Sequence, residues 1–184
     1  MKLIADSGAT KTDWCLGENK ENAQIIQTQG INPFHQSKEH IAQVLCEELL
    51  PQLPADERIT HIHFYGSGCT PEKSIIVKEE LAKLFPDAFI DVQSDLLGAA
   101  RALCGKKKGI ACILGTGSNS CFYDGEQITA NVSPLGYILG DEGSGAHLGK
   151  RLVSDCLKRQ LPENICAMFL KDAGVSPAAI IDKV

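Results

Sequence analysis

The stretch Asp6-Ser7-Gly8-Ala9-Thr10-Lys11-Thr12-Asp13 decides how this chain is read. It follows the apolar run Leu3-Ile4-Ala5 and precedes Trp14-Cys15-Leu16, a pattern of strand, tight Gly turn and strand. A Gly in such a turn can adopt φ > 0 and leaves backbone N–H groups uncovered. Hydroxyls on Ser7, Thr10 and Thr12 add donors and Lys11 adds positive charge, so the turn suits a phosphate chain. Asp6, at the end of the strand, suits a Mg²⁺ ion held through water, since Mg²⁺ takes oxygen ligands and keeps part of its hydration shell. Taken alone, the same residues read more simply as a polar hairpin turn with no ligand.

A second stretch shifts that balance. Ile113-Leu114-Gly115-Thr116-Gly117-Ser118-Asn119-Ser120-Cys121-Phe122 has the same grammar, with an apolar run from Ile110 to Leu114, a Gly/Thr/Ser turn and another strand-like run. Two copies of one hairpin, a domain's length apart, imply an internal duplication. Facing phosphate-binding hairpins would clamp a nucleotide between two lobes, here expected at residues 1–107 and 108–184.

Composition narrows the function classes. The chain has 184 residues, 43% of them hydrophobic, which suits a globular protein with a real core. A net charge of −5 argues against nucleic-acid binding, whose footprint is basic. Lys106-Lys107-Lys108 is a basic run between a helix and a strand, and reads as a solvated loop. The eight cysteines form no CxxC pair. Cys15, Cys46, Cys104, Cys112, Cys121 and Cys166 sit among apolar neighbours and read as buried free thiols. Met1-Lys2-Leu3-Ile4-Ala5 meets Asp6 too soon for a signal peptide, and no stretch is apolar for long enough to span a membrane. A reducing cytoplasm is the expected compartment.

Along the chain, Lys2 to about Gly17 forms the first hairpin, Glu18 to Glu21 a polar turn, and Ala23 to Thr28 a third strand. Gly30-Ile31-Asn32-Pro33 breaks the pattern near the hairpin mouth, where Asn32 faces a ligand or serves as a turn residue. Ser37 caps a helix to about Leu50, with Ile41, Val44, Leu45 and Leu49 on its buried face. Ile59 to Tyr65 is a strand that carries His61 and His63 on one side, read as core or edge histidines rather than metal ligands. After the Gly66-Ser67-Gly68-Cys69 loop, Thr70 caps a helix with Pro71 at its first position. Phe89 to Gln93 is a strand, and a helix from Leu96 to Leu103 follows Ser94-Asp95. These later strands alternate with helices and so run parallel, and ligands gather at the C-terminal ends of parallel strands. Asp6, Asp95 and the Gly66-Ser67 loop share that rim.

The second half repeats the meander over Ile110 to Leu114, Ser120 to Asp124 and Gln127 to Val132, with Asp124-Gly125 as a hairpin turn. Gly136 to Gly145 reads as a glycine-rich loop holding Asp141 and Glu142 at the start of a helix from about Ala146 to Leu157. Those two carboxylates either cap the helix or contact a ligand. Helical sequence returns from Pro162 to Ala173 and from Pro177 to Val184. The second half lacks the later alternating strands, so its lobe is expected to be incomplete.

The two hairpins in this order, with Gly30-Ile31-Asn32-Pro33, Ser94-Asp95 and the Gly140-Asp141-Glu142-Gly143-Ser144 loop, resemble the superfamily of actin, Hsp70 and sugar kinases. More narrowly they are similar to the N-acetylglucosamine kinase and BadF/BadG-type ATPase family. The resemblance implies an α/β fold of RNase H-like lobes and an ATP-dependent kinase that phosphorylates an amino sugar, with ATP and Mg²⁺ as cofactors. It further implies that Ser7, Gly8, Ala9, Thr10, Lys11 and Thr12, with Gly115, Thr116, Gly117 and Ser118, hold the phosphates, and that Asp6 holds the metal. Asp95 matches the catalytic base, and Asn32, Ser67, Asp95, Thr116, Gly117 and Asp141 match sugar-contacting positions. Leu135 stands about where mammalian members place a Trp, and the family's adenosine-binding Gly-Gly segment has no counterpart here. The expected partners are a small sugar and ATP, with a homodimer left open. An alternative is a BadF-type ATPase that activates a radical acyl-CoA dehydratase through an iron–sulfur cluster, which needs accessible thiolates. A sugar sensor without catalysis is a third reading.

Overall fold

The computed structural model describes residues 1–19, 21–174 and 176–181. It divides into two compact units, residues 1–113 with 120–132, and residues 114–119 with those from Ser133 onward.

The first unit is built on a five-stranded mixed sheet. β1 (Lys2–Ser7), β2 (Lys11–Gly17) and β3 (Gln24–Gln29) form the expected antiparallel meander. β4 (His61–Gly66) and β5 (Phe89–Ser94) run parallel to β1, and the spatial order is β3-β2-β1-β4-β5. The two-residue alternation of the strands puts Leu3, Ala5, Trp14, Leu16, Ile26, Ile62, Phe64, Ile90 and Val92 on one buried face. Helical residues Ile41, Val44, Leu45, Leu49, Val77 and Leu81 cover that face.

The helix that begins at Ser37 is α-helical only over α1 (Lys38–Gln43); it widens to π geometry over Val44–Leu49 and ends in a 3₁₀ turn at Leu50–Gln52. Pro51 brings no N–H to the last turn, and the helix leaves α geometry ahead of it. The next helix, α2 (Ser74–Leu84), starts later than its sequence suggests. Thr70 still acts as a cap of the preceding turn, where its hydroxyl accepts from Lys73 N–H at 3.3 Å and its carbonyl from Ser74 N–H at 2.8 Å.

α3 (Asp95–Cys104) is capped by Ser94, whose hydroxyl accepts the Leu97 N–H at 3.3 Å. Its Leu96 and Ala100 form a second core cluster with Ala111, Cys121 and Tyr123. These last three come from a three-stranded sheet in the order β6-β7-β8, made of β6 (Gly109–Leu114), β7 (Ser118–Tyr123) and β8 (Ile128–Val132). The Asp124-Gly125 turn joins β7 to β8 as expected, with Gly125 at φ 107° and the Asp124 carboxylate accepting from Glu126 and Gln127 N–H at 2.9 Å.

Of the six cysteines expected to be buried, Cys121 is; Cys15, Cys104 and Cys166 are half-buried, and Cys46 and Cys112 are exposed. On β6 the alternation turns Ala111 inward and Ile110 and Cys112 outward, so apolar neighbours in sequence do not make a buried thiol.

In the second unit, a short helix α4 (Gly136–Leu139) stands inside what reads as loop, followed by α5 (Gly145–Leu157), α6 (Glu163–Asp172) and α7 (Pro177–Ile181). The expected run of the last helix on to Val184 lies outside the described residues, as does Lys20 of the polar turn. Among the described residues no helix is long and apolar enough to cross a membrane.

Candidate active site

In the first unit, β1, β4 and β5 end level with one another. Ser7 pairs with Gly66, and Gly66 with Ser94. The residues that follow, on the β1–β2 turn, at Ser67 and at Asp95, therefore emerge along one rim, as the parallel pairing requires. Ser67 is tied there by its N–H, which donates to the Ser7 carbonyl at 2.8 Å.

The β1–β2 turn is closed by Gly8 N–H donating to the Lys11 carbonyl at 2.9 Å, and Gly8, Ala9, Thr10 and Lys11 are exposed. Lys11 Nζ lies 2.7 Å from Asp13 Oδ2, and this contact holds the Asp13 carboxyl below the usual carboxylate range. The hydroxyls of Ser7 and Thr12 correct the sequence reading, which counted them among the donors exposed to a phosphate. Both residues are fully buried and lie 2.6 Å apart, oxygen to oxygen. They face inward because they stand on the core-facing positions of β1 and β2.

Under the turn lies Gly30, whose N–H donates to the Thr10 carbonyl at 3.1 Å. A Cβ on Gly30 would stand 2.4 Å from the Gly8 oxygen and 2.7 Å from the Ala9 carbonyl carbon, so only glycine lets the chain pass this close. Sequence reasoning treated Gly30 as a break and missed its role. The usable signal was a Gly set directly after the last residue of a strand.

Asn32 is almost wholly buried. Its side-chain oxygen accepts the Phe34 N–H at 3.0 Å, and its own N–H donates to Gln36 Oε1 at 2.8 Å. Gly68, at φ 74°, packs on that side chain so closely that a Cβ would come 2.1 Å from Asn32 Oδ1. Asn32 and the Gly66–Cys69 loop are thus held together, although they are distant in sequence. Burial pushes the Cys69 thiol up to about 12, and the nearby Asp95 charge adds to the rise.

Asp95 is the first residue of α3, and its Oδ1 accepts the Leu96 N–H at 2.8 Å. Burial raises its carboxyl above the usual carboxylate range; the Leu96 N–H counters this, and the Asp6 charge adds to it. Asp6 and Asp95 thus feel one another. Two carboxylates on one rim suit a hard divalent cation such as Mg²⁺.

The second unit carries the other expected site residues. Gly115 N–H donates to the Gly117 carbonyl at 2.9 Å, closing the second turn. Asp141 is buried at φ 57° and its Oδ1 accepts the Ser118 N–H at 3.1 Å. Helix α5 is capped by Ser144, whose hydroxyl accepts the His147 N–H at 3.1 Å; neither Asp141 nor Glu142 is the cap. The first N–H groups of α5 are spent on the turn itself, with Gly145 donating to the Gly115 carbonyl at 2.8 Å and Ala146 to the Thr116 carbonyl at 3.2 Å. The structure therefore brings Thr116, Gly117, Ser118 and Asp141 into one assembly. Ser144, fully buried, was the residue the sequence reading missed, although a Ser just ahead of a helical pattern is a capping signal.

Among the described residues no group of three or more His, Cys, Asp or Glu could hold a metal ion through side chains alone. His61 is exposed and His63 half-buried, with His63 Nδ1 3.7 Å from Asp91 Oδ2.

No protein-family model matches the chain, and none of the curated proteins matches it significantly. Solved structures do. The "putative N-acetylglucosamine kinase" of Porphyromonas gingivalis is 52% identical with a TM-score of 0.94, over 99% of this chain and 65% of that one. The "putative N-acetylglucosamine kinase" of Chromobacterium violaceum is 22% identical with a TM-score of 0.67, over 100% of this chain and 63% of that one. A non-polymerising MamK mutant bound to AMPPNP shares the fold at a TM-score of 0.54 and 12% identity, over 90% of this chain and 63% of that one. The chain thus spans just under two thirds of the length of these relatives. The chain therefore has the actin-like ATPase fold, and in sequence it is similar over nearly its whole length to the Porphyromonas protein described as a "putative N-acetylglucosamine kinase".

Proposed function

We propose that the chain is the phosphate- and sugar-binding part of an ATP-dependent kinase that phosphorylates an amino sugar, N-acetylglucosamine first, with RNase H-like lobes at 1–107 and 108–184. The observation that carries the reading is Asp95, a half-buried carboxylate just past the end of a parallel strand, held above its ordinary range chiefly by burial and within reach of the Asp6 charge. A base whose affinity for protons is raised toward the working pH accepts a hydroxyl proton more readily.

Phosphoryl transfer asks mainly for positioning and charge neutralisation. The exposed backbone of Gly8 to Thr10, the Lys11 ammonium and the Gly115 to Ser118 turn would hold the phosphates of ATP. Asn32, Ser67, Thr116, Gly117 and Asp141 would orient the sugar. Asp95 would accept the proton of the attacking hydroxyl, and Asp6 would hold Mg²⁺ through water. When bound, the ion neutralises charge on the phosphates. ATP and the sugar are the proposed partners, and the absence of a basic surface run beyond Lys106 to Lys108 supports a small-molecule role over nucleic acid.

The test is Asp95→Asn in a coupled ATP-consumption assay over a panel of sugars. Asp95→Asn is expected to keep sugar binding and to lose about 10²–10⁴-fold in turnover. Turnover at the wild-type rate would remove Asp95 from the role of base. Iron bound after anaerobic purification would favour the acyl-CoA dehydratase activator instead.

A further inference from the structure

Ser7 and Thr12 are fully buried, yet they make more polar contacts than two hydroxyls can donate to. Ser7 Oγ lies 2.6 Å from Thr12 Oγ1 and 3.0 Å from the Ile31 carbonyl, and Thr12 Oγ1 lies 3.0 Å from the Gln29 carbonyl. Ser7 Oγ also accepts the Ile31 N–H at 2.9 Å. Two hydroxyl protons thus serve three acceptors. Oxygens 2.6 Å apart need a proton between them. Either Ser7 donates to Thr12 and Thr12 to Gln29, or Thr12 donates to Ser7 and Ser7 to Ile31. Both arrangements make one hydrogen-bonded chain from β2, across the base of the first turn, into the segment that leads to Asn32. Gly30 reinforces it, since its N–H holds the Thr10 carbonyl and any Cβ on it would collide with the backbone of Gly8 and Ala9.

We propose that Ser7 and Thr12 are positioning residues that tie the first turn to the Ile31–Asn32 segment, so that a ligand ordering one segment orders the other. Neither hydroxyl is then a phosphate ligand. The proposal rests on the reading above, in which the turn holds phosphate and Asn32 faces the sugar. A buried chain of hydrogen bonds with no spare solvent contact is the physical means, because moving either end leaves a polar group unpaired.

The experiment is amide hydrogen exchange on the full chain, with and without N-acetylglucosamine and without ATP. In the wild type the sugar is expected to slow exchange at Gly8 to Thr10, residues assigned to phosphate. In Ser7→Ala that remote protection is lost, and the Ile31 amide exchanges about tenfold faster even without sugar. Thr12→Val, which keeps the side-chain shape, shows the same loss of remote protection and replaces Ser7→Ala should the latter not fold. Remote protection that survives in both variants overturns the proposal. Should the sugar protect nothing in the wild type, the kinase reading fails, and the Ile31 rate still decides the tie: an unchanged rate in Ser7→Ala overturns it.

Discussion

The Asp141 carboxylate accepts the backbone N–H of Ser118 at 3.1 Å, across 23 positions of sequence. This bond seats the Gly140–Ser144 loop on the second turn. It is possible because Gly117 has no side chain, since a Cβ there would stand 3.0 and 3.2 Å from the two carboxylate oxygens. Asp141 also holds a left-handed backbone, which Asp and Asn tolerate better than other non-glycine residues.

Asp141→Asn and Asp141→Ala should therefore separate. Asn keeps an acceptor for Ser118 N–H and the left-handed conformation, and is expected to cost less than about 1 kcal/mol. Ala removes the acceptor and adds backbone strain, for about 2–4 kcal/mol. Urea unfolding of both variants, followed by far-UV circular dichroism, checks the order. Equal losses would mean that the hydrogen bond does not hold the loop.

Gly30→Ala tests the support under the first turn. The new Cβ would overlap backbone atoms of Gly8 and Ala9, which cannot swing aside as a side chain can. The expected loss is about 1–3 kcal/mol, with the turn displaced outward. A lower urea midpoint together with changed amide shifts at Gly8 to Thr10 would fit. A variant as stable as the wild type would show that the turn has room to move.

Trp14 is the only tryptophan of the chain, and its fully buried indole N–H donates to Thr28 Oγ1 at 3.0 Å. Its ring packs 5.6 Å from that of Phe64. Thr28→Val keeps the shape and deletes the acceptor, leaving a buried donor unpaired. The fold should lose about 1–3 kcal/mol while Trp14 emission stays blue-shifted, because the ring remains buried. Denaturation followed by that fluorescence gives both quantities in one measurement.

What was legible in the sequence was the part written in short-range pattern. The meander, the Asp124-Gly125 hairpin and the helix after Ser94-Asp95 all follow from period and punctuation. The level ends of β1, β4 and β5 follow from parallel pairing. What was not legible depends on which way a side chain faces or on contacts between distant backbones. Ser7 and Thr12 look like exposed donors until strand parity turns them inward. Cys112 looks buried until the same parity turns it outward. Gly30 and Gly68 are needed for close approaches, to Gly8 and to Asn32, that no local pattern announces. Asp141 looks like a helix cap because it precedes α5, yet Ser144 is nearer to the first turn and takes that role.

Asp95 offers a test in which stability and activity move in opposite directions. Its carboxyl is raised above its unfolded value, chiefly by burial, so the folded state binds the proton more tightly than the unfolded chain does. The sign follows from linkage. A carboxyl of this kind favours the fold below the ordinary Asp value of about 3.9, and that advantage is lost as pH rises through the raised folded value. At neutral pH the buried charge therefore works against folding. Asp95→Asn removes the charge and keeps an oxygen for the Leu96 N–H. Its Tm at pH 7 should rise, on the order of 2–4 °C, while turnover falls. The gain should shrink as the pH is lowered toward 4, where the wild-type carboxyl becomes protonated and the two proteins converge. Thermal unfolding of both at pH 4 and pH 7 decides it. A variant less stable than the wild type at pH 7 would mean that the Asp95 charge has a partner that stabilises it, and that burial is not what sets its proton affinity.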